Sequence, residues 1–389
     1  MVEGRSDAVE GKRIRYGMVG GGQGAFIGAV HRLAARMDDH YDLVAGALSS
    51  NGRRAVESGR ELRLDPARCY RSYAEMAEKE GRRPDGIEAV SIVTPNHMHF
   101  PVAKAFLEAG INVICDKPMT LNVKEAKDLV ALTKKTGLLF AVTHNYTAYP
   151  MLRQAREMVQ EGLLGDIRVV QAEYAQDWLT NPIERDGQKQ AEWRTDPRKS
   201  GAGGTIGDIG THAYNAACFV TGLTLDSLCA DLATMVKGRR LDDNDNILLR
   251  WKGGARGMLW ASQVAVGREN GLMLRVYGSK AGLEWRQEDP NYLWYTAYGE
   301  RTQLITRSGH GSGPAAGRVT RVPAGLPEGY LEGFAALYTE IARALRARRE
   351  GRPVDPDVYF PTVEDGLLGM KFIEAAVQSS KKGAVWMKV

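Results

Sequence analysis

The sequence predicts a chain of mixed α/β and α+β class in two parts. The first, 12–147, reads as a doubly wound α/β domain, a parallel sheet with helices on both faces. The second, 148–389, reads as an α+β domain built on a large, mostly antiparallel sheet. Two observations carry this division. Residues 12–145 alternate short apolar runs with helical patterns, and after a helix near 149–161 strand-like runs follow one another with few helices between. Short, unalternating, β-branched-rich runs separated by helices belong to a parallel sheet covered on both faces. Strands in succession imply antiparallel neighbours.

The elements follow in order. Runs at 14–19, 41–48, 87–93, 111–115 and 138–143 supply the first sheet, with helices near 26–37, 71–80, 98–109 and 122–136. Runs at 167–178, 228–236, 247–251, 257–266, 272–277 and 293–298 supply the second. Lys252-Gly253-Gly254 reads as a hairpin turn. A helix at 207–221 is inserted, and helices near 330–349 and 364–379 close the chain. The Gly/Ser/Ala-rich stretch 309–317 is expected to be a mobile loop.

Composition narrows the function classes. The 389 residues suffice for two cores, and 43% hydrophobic with 25% charged residues is ordinary for a soluble globular protein. The net charge of +5 is spread along the chain, and no basic stripe interleaves with aromatics, so nucleic acid is not an expected partner. Cys69, Cys115, Cys218 and Cys229 form no C-x-x-C pair and no zinc-ligand spacing. They are expected to be reduced thiols of a cytoplasmic protein without a metal. Residues 1–12 are polar and lack an apolar h-region, the pattern of a disordered tail rather than a signal peptide. No stretch approaches the roughly 18 apolar residues that span a membrane.

Gly20-Gly21-Gly22 follows the first strand directly. A dinucleotide-binding (Rossmann) fold needs a tight turn there, so that backbone N–H groups face pyrophosphate at a helix N-terminus. Gly20 and Gly22 suit the first two positions of G-x-G-x-x-G. The third is either Ala25, or Gly28 if Gln23-Gly24-Ala25 is an insertion. The second strand ends in Leu48-Ser49-Ser50-Asn51-Gly52-Arg53-Arg54, without the acidic residue that binds a ribose 2′-OH. Hydroxyls with a guanidinium can accept a 2′-phosphate, so NAD and NADP both stay open. Thr94-Pro95-Asn96 closes the third strand, where such sheets bind ligands.

Two further segments carry chemistry: Cys115-Asp116-Lys117-Pro118, and Gly207-Asp208-Ile209-Gly210-Thr211-His212. Oxidation of an alcohol needs a base near neutrality, for which histidine suits, and an ammonium can stabilise developing alkoxide. Asp208 and His212 stand at i and i+4 and share a face if 207–221 is helical. Taken singly, an Asp/His pair at this spacing is more often a surface pair or cap, and Lys117 alone is an exposed turn residue.

These residues together resemble the Gfo/Idh/MocA oxidoreductases, over nearly the whole chain. The resemblance rests on the glycine turn, T-P-N with His99, Lys117-Pro118, Asn145-Tyr146, Trp193-Arg194 and the G-D-I-G-T-H segment. The family's usual E-K-P is here Asp116-Lys117-Pro118, and the expanded glycine turn departs from the commonest pattern. The resemblance implies that Lys117, Asp208 and His212 are catalytic, with His212 the acid/base and Lys117 on substrate and nicotinamide. It implies a cofactor site from the glycine turn, Gln23, Gly24, Ala25, Phe26 and Ile27, then Ser49, Ser50 and Arg54. Thr94, Pro95, Asn96, His99, Asp116, Pro118, Asn145, Trp193 and Arg194 complete it. Tyr146, Gln176 and Trp178 would join Lys117, Asp208 and His212 around the substrate. The expected substrate is a sugar, glycoside, anhydrosugar or cyclitol, and the expected assembly a homodimer or homotetramer. A hydrolase or epimerase using transient oxidation with tightly held NAD, and a non-catalytic nicotinamide or sugar sensor, are the competing readings.

Overall fold

The computed structural model describes residues 12–389; the expected tail, Lys12 apart, lies outside them. The chain forms two compact units. One runs to Asn145 and regains Tyr330–Leu367; the other is Tyr146–Gly329 with Leu368 onward.

The first unit opens β1 (Ile14–Gly20), α1 (Phe26–Met37), β2 (Tyr41–Ala47), α2 (Gly52–Glu61) and α3 (Tyr73–Arg82). It continues β3 (Ala89–Val93), α4 (His99–Glu108), β4 (Asn112–Cys115), α5 (Val123–Thr136) and β5 (Phe140–Val142). The strands pair in parallel in the order β2-β1-β3-β4-β5. Every residue of β3 is buried, as both faces of a doubly wound sheet require. The order reverses between β1 and β3, so the loops leaving their carboxyl ends diverge and open a crevice. Helix α2 escaped sequence reading because it has no apolar stripe. Only Ala55, Ser58 and Gly59 are buried, and its start is fixed by Asn51, whose side chain accepts from the Arg54 amide.

The second unit holds α6 (Pro150–Gln160), β6 (Ile167–Ala175), α7 (Lys189–Arg194) and α8 (Pro197–Ser200). A π-helical turn, Ile206–Gly210, runs into α9 (Thr211–Thr221). The expected helix at 207–221 is therefore not α throughout: the Thr211 amide reaches back to the Ile206 carbonyl. Six strands follow: β7 (Leu225–Ala233), β8 (Asn244–Trp251), β9 (Arg256–Ser262), β10 (Gly271–Gly278), β11 (Ala281–Arg286) and β12 (Tyr292–Ala297). Then come β13 (Gln303–Thr306) and α10 (Pro314–Gly317); α11 (Tyr330–Arg349) belongs to the first unit, α12 (Val363–Lys381) spans the division, and β14 (Met387–Lys388) returns to the second. The sheet has nine strands in the order β13-β12-β11-β10-β6-β9-β8-β7-β14. All its pairs are antiparallel except β6 with β9. Strands β11, β13 and β14 were not foreseen. The stretch 309–317 is not featureless: it contains α10, pinned by Gln154, which accepts from the Gly313 amide at 2.5 Å, and by Glu157, which accepts from Ala315 at 3.1 Å.

The sequence division placed 330–367 in the second part; in the structure this stretch belongs with the first sheet. The Tyr338 hydroxyl lies 2.8 Å from His31 Nδ1 and 2.7 Å from Ser91 Oγ, and the Tyr338 carbonyl accepts from Tyr41. Edge strand β5 gains a backbone partner when the Val142 amide donates to the Pro361 carbonyl at 2.8 Å. Long-range pairing of this kind leaves no local sequence pattern.

Candidate active site

In the first unit the chemistry gathers at the carboxyl ends of the parallel strands. Gly20 and Gly21 have φ of +84° and +73°, which glycine adopts without strain. A Cβ on Gly22 would meet the Leu48 carbonyl at 2.5 Å, and one on Gly28 would lie 2.3 Å from Gly21 Cα. Gly28, rather than Ala25, therefore supplies the close helix–strand approach that the third glycine allows. Arg32 on α1 donates to the Gly21 carbonyl at 2.7 Å and holds the turn. Ala25 precedes α1 without a side-chain cap, so the first amides of the helix are left for a ligand. Phe26 is exposed, Ile27 half-buried, and the Gln23 side chain turns to Glu61.

At the end of β2, Ser49 accepts from the Asn51 amide, while Ser50, Arg53 and Arg54 are exposed. After β3, Thr94, Pro95 and Asn96 lead into a short turn, with Asn96 buried. His99 braces this turn against the next: its ring nitrogens face the Pro118 carbonyl at 2.7 Å and the Thr94 carbonyl at 2.9 Å. His99 was expected at the cofactor; its ring is lodged between two backbone carbonyls, and the neutral ring donates to one of them. Its pKa is lowered by burial, which outweighs the opposing pull of Asp116 and the two carbonyls. After β4, Asp116 accepts from the Lys117 backbone amide at 3.1 Å and from Thr143 Oγ1 at 2.7 Å. The Lys117–Pro118 peptide is cis.

Two buried polar atoms at this edge, Thr94 Oγ1 and Asn145 Nδ2, have no hydrogen-bond partner. Buried polar groups are ordinarily paired, so a donor and an acceptor stand ready for a ligand. Together with the glycine turn and the bare start of α1, these residues fit a dinucleotide.

His144, next to Asn145, is buried, and burial followed by the Lys117 cation pushes its pKa down to about 3. A depressed histidine contributes stability that is present above about 6.5 and lost as pH falls towards 3, because only the unfolded chain takes up the proton. The loss is about 1.4 kcal/mol per pH unit across that window. Chemical denaturation at pH 7 and 4.5 should show His144→Gln losing less stability on acidification than the unaltered protein; equal losses would refute it.

In the second unit one sheet edge collects the site. Because β6 and β9 are the parallel pair, their carboxyl ends lie together, and the amino ends of antiparallel β8 and β10 join them. Gln176, Gln263, Asn270 and the turn 242–243 thus leave the sheet at one edge. Gln176 Nε2 and the Tyr174 hydroxyl donate to Asn270 Oδ1 at 2.7 and 2.9 Å. With Tyr174 so committed, Tyr146 is the donor in the 2.6 Å contact between the two phenols. Burial raises the Tyr146 pKa, which keeps that proton in place. Trp178 Nε1 donates to Gln176 Oε1 at 3.1 Å.

The π-helical turn delivers Asp208 to this edge. Asp208 Oδ2 accepts from Arg194 Nε at 3.1 Å and Gln263 Nε2 at 2.8 Å. Arg194 lies over the Trp193 ring, 4.2 Å from its centroid, and donates to Gln190 Oε1, which also accepts from Trp193 Nε1. Trp193 and Arg194, expected at the cofactor, thus make these contacts within the second unit, around Asp208. His212 is buried one turn on from Asp208, 4.9 Å from the Tyr146 ring in edge-on contact. Gln263, Asn270, Tyr174 and Gln190 were not foreseen. No motif marks them: strand register brings Gln263, Asn270 and Tyr174 to Asp208 and Gln176, and helix α7 sets Gln190 against Trp193 and Arg194.

Among the described residues no His, Cys, Asp and Glu cluster could hold a metal, and no helix is long and apolar enough to cross a membrane. The four cysteines are free thiols.

Comparison with known proteins agrees with this architecture. An uncharacterised oxidoreductase of Bacillus subtilis, YfiI, is 34% identical over 381 residues, 97% of either chain. The crystal structure of an oxidoreductase from Sinorhizobium meliloti is 56% identical, with a TM-score of 0.89 over 97% of this chain and 100% of that one. That of an inositol dehydrogenase homologue from Azotobacter vinelandii, complexed with NADH and myo-inositol, is 36% identical, with a TM-score of 0.91 over 97% and 98%. Residues 14–144 match the oxidoreductase family model with an NAD-binding Rossmann fold, and residues 152–284 the GFO/IDH/MocA C-terminal domain. Glycine turn, parallel sheet and antiparallel partner domain thus come from one source, and the chain belongs to the Gfo/Idh/MocA family of NAD(P)-dependent oxidoreductases.

Proposed function

We propose that the protein is a dehydrogenase or reductase of a secondary hydroxyl on a sugar, glycoside, anhydrosugar or cyclitol. The observation that carries this reading is the edge of the nine-stranded sheet, where amides, phenols and an indole surround a carboxylate and a histidine. Amide and carboxylate groups pair with several hydroxyls at once, and indole faces stack on sugar C–H. The myo-inositol bound by the Azotobacter vinelandii homologue supports the substrate class.

The nicotinamide dinucleotide supplies the hydride acceptor or donor. The chain's own groups do the rest. His212 takes the hydroxyl proton during oxidation and returns it during reduction. The Lys117 ammonium favours the developing alkoxide. Asp208 accepts a hydrogen bond from a substrate hydroxyl and orients it. Neither Ser49 nor Ser50 at the end of β2 repels a 2′-phosphate, and Arg53 and Arg54 are exposed beside them. NADP is therefore expected to be accepted as well as NAD.

The test is absorbance of reduced nicotinamide with NAD or NADP and myo-inositol, levoglucosan, D-xylose and methyl glucosides. A rise with at least one polyol is expected. Cofactor binding with no rise on any of them would overturn the reading, and strict NAD specificity would remove the role given to the arginines.

A further inference from the structure

We infer that Gln263 is a positioning residue for Asp208, holding the carboxylate through the NH2 end of its side-chain amide. This rests on the role given to Asp208 above.

An ionised carboxylate only accepts hydrogen bonds. With Gln263 2.8 Å from Asp208 Oδ2, the amide must present its NH2 there and turn its oxygen away. That oxygen is met by Thr205, whose hydroxyl lies 2.9 Å from Gln263 Oε1. Thr205 and Gln263 are 0% and 2% exposed, so both are shielded from bulk solvent. An amide flip would set oxygen against oxygen at Asp208. The carboxylate thus dictates the orientation, and the Thr205 hydroxyl, able to donate or accept, donates to the oxygen turned toward it.

The frame behind this relay is the sheet itself. Asp242 accepts from the Gly204 amide at 2.7 Å and the Ile206 amide at 2.8 Å, and its carbonyl accepts from the Thr205 amide at 3.1 Å. A Cβ on Gly204 would lie 2.3 Å from that carbonyl, so only glycine lets the turn seat. Gln263 is anchored in turn: its amide donates to the Asp243 carbonyl, and its carbonyl accepts from Leu179. Threonine and glutamine therefore approach Asp208 from two segments tied to the start of β8. The second donor, Arg194, comes from a half-exposed loop helix with 24% of its side chain accessible. The two donors differ in purpose: Arg194 supplies charge, and Gln263 supplies a fixed direction. Without Gln263 the carboxylate loses a donor to its ionised form and a stop against rotation.

The first experiment needs no substrate. Carboxyl-labelled aspartate is titrated by carbon NMR in the full-length protein, with the Asp208 signal assigned by its loss in Asp208→Asn. Gln263→Leu should move the Asp208 midpoint upward by roughly one pH unit; an unmoved midpoint overturns the inference. The second uses the polyol and cofactor that turn over in the panel above. Gln263→Leu should lower kcat/KM about tenfold in the unaltered protein but less than about twofold in the Asp208→Asn background. A residue with only a structural role would cost the same factor in both, and that result would refute the assignment. Gln263→Glu should recover activity at low pH, where a protonated acid can still donate, and lose it as pH rises. A pH-independent loss would also contradict it. Should Asp208→Asn itself keep the normal rate, the proposed function fails, and the titration still decides whether Gln263 holds the carboxylate.

Discussion

Replacing His212 or Lys117 with alanine is expected to lower turnover by about a hundredfold or more, with the fold retained. A hundredfold corresponds to about 2.7 kcal/mol of transition-state stabilisation, within what one positioned acid/base or ammonium supplies. The two substitutions differ structurally. Asp116 accepts from the Lys117 backbone amide and from Thr143, two bonds that Lys117→Ala retains. His212 is buried against Tyr146, and its removal leaves a gap. His212→Gln, which keeps more of the volume, therefore accompanies it. Steady-state rates with NAD and the active polyol, beside thermal melts, make the check. Rates within threefold of normal in folded variants would sink the assigned roles.

Gly28→Val is expected to abolish measurable NAD binding. A branched side chain would have to enter where even a Cβ lies 2.3 Å from Gly21 Cα and 2.9 Å from the Gly21 carbonyl. Those are backbone atoms and cannot swing aside, so β1 and α1 must part. Both the turn and the first amides of α1 then leave the positions a pyrophosphate needs. The same substitution at Gly24, whose Cβ would meet nothing within 4 Å, is the contrast. Gly24→Val suffers only from a φ of +73° and should keep part of the affinity. Fluorescence titration with NADH separates the two; equal affinities would contradict the assignment of Gly28.

Much of the first sheet was legible because β3 and β5 are buried throughout and the other strands mostly so, and they read as largely apolar runs. Helix α1 matches its expected span because its apolar stripe runs its full length and begins straight after the glycine turn. Helix α2 was illegible because its burial falls on Ala55, Ser58 and Gly59, which carry no hydrophobic signal. Strands β11 and β13 are short and lie towards one edge of the sheet, with half their residues turned outward. The candidate site divides in the same way. Asp208 and His212 were legible as candidates because their spacing is local, and Lys117 because it closely follows a strand. Gln263 and Asn270 carry no local signature; one follows β9, the other precedes β10.

The sequence by itself determined what local periodicity and backbone permissiveness can encode. These are a parallel sheet entered by a glycine turn, a later antiparallel sheet, and an Asp/His pair one turn apart. Only the tertiary structure decided which glycine makes the close approach, where residues 330–367 pack, and which neighbours hold Asp208. Those outcomes depend on strand order and register, above all on β6 and β9 running parallel within an antiparallel sheet. Register brings residues far apart in the chain within hydrogen-bonding distance, and no short window of sequence records it.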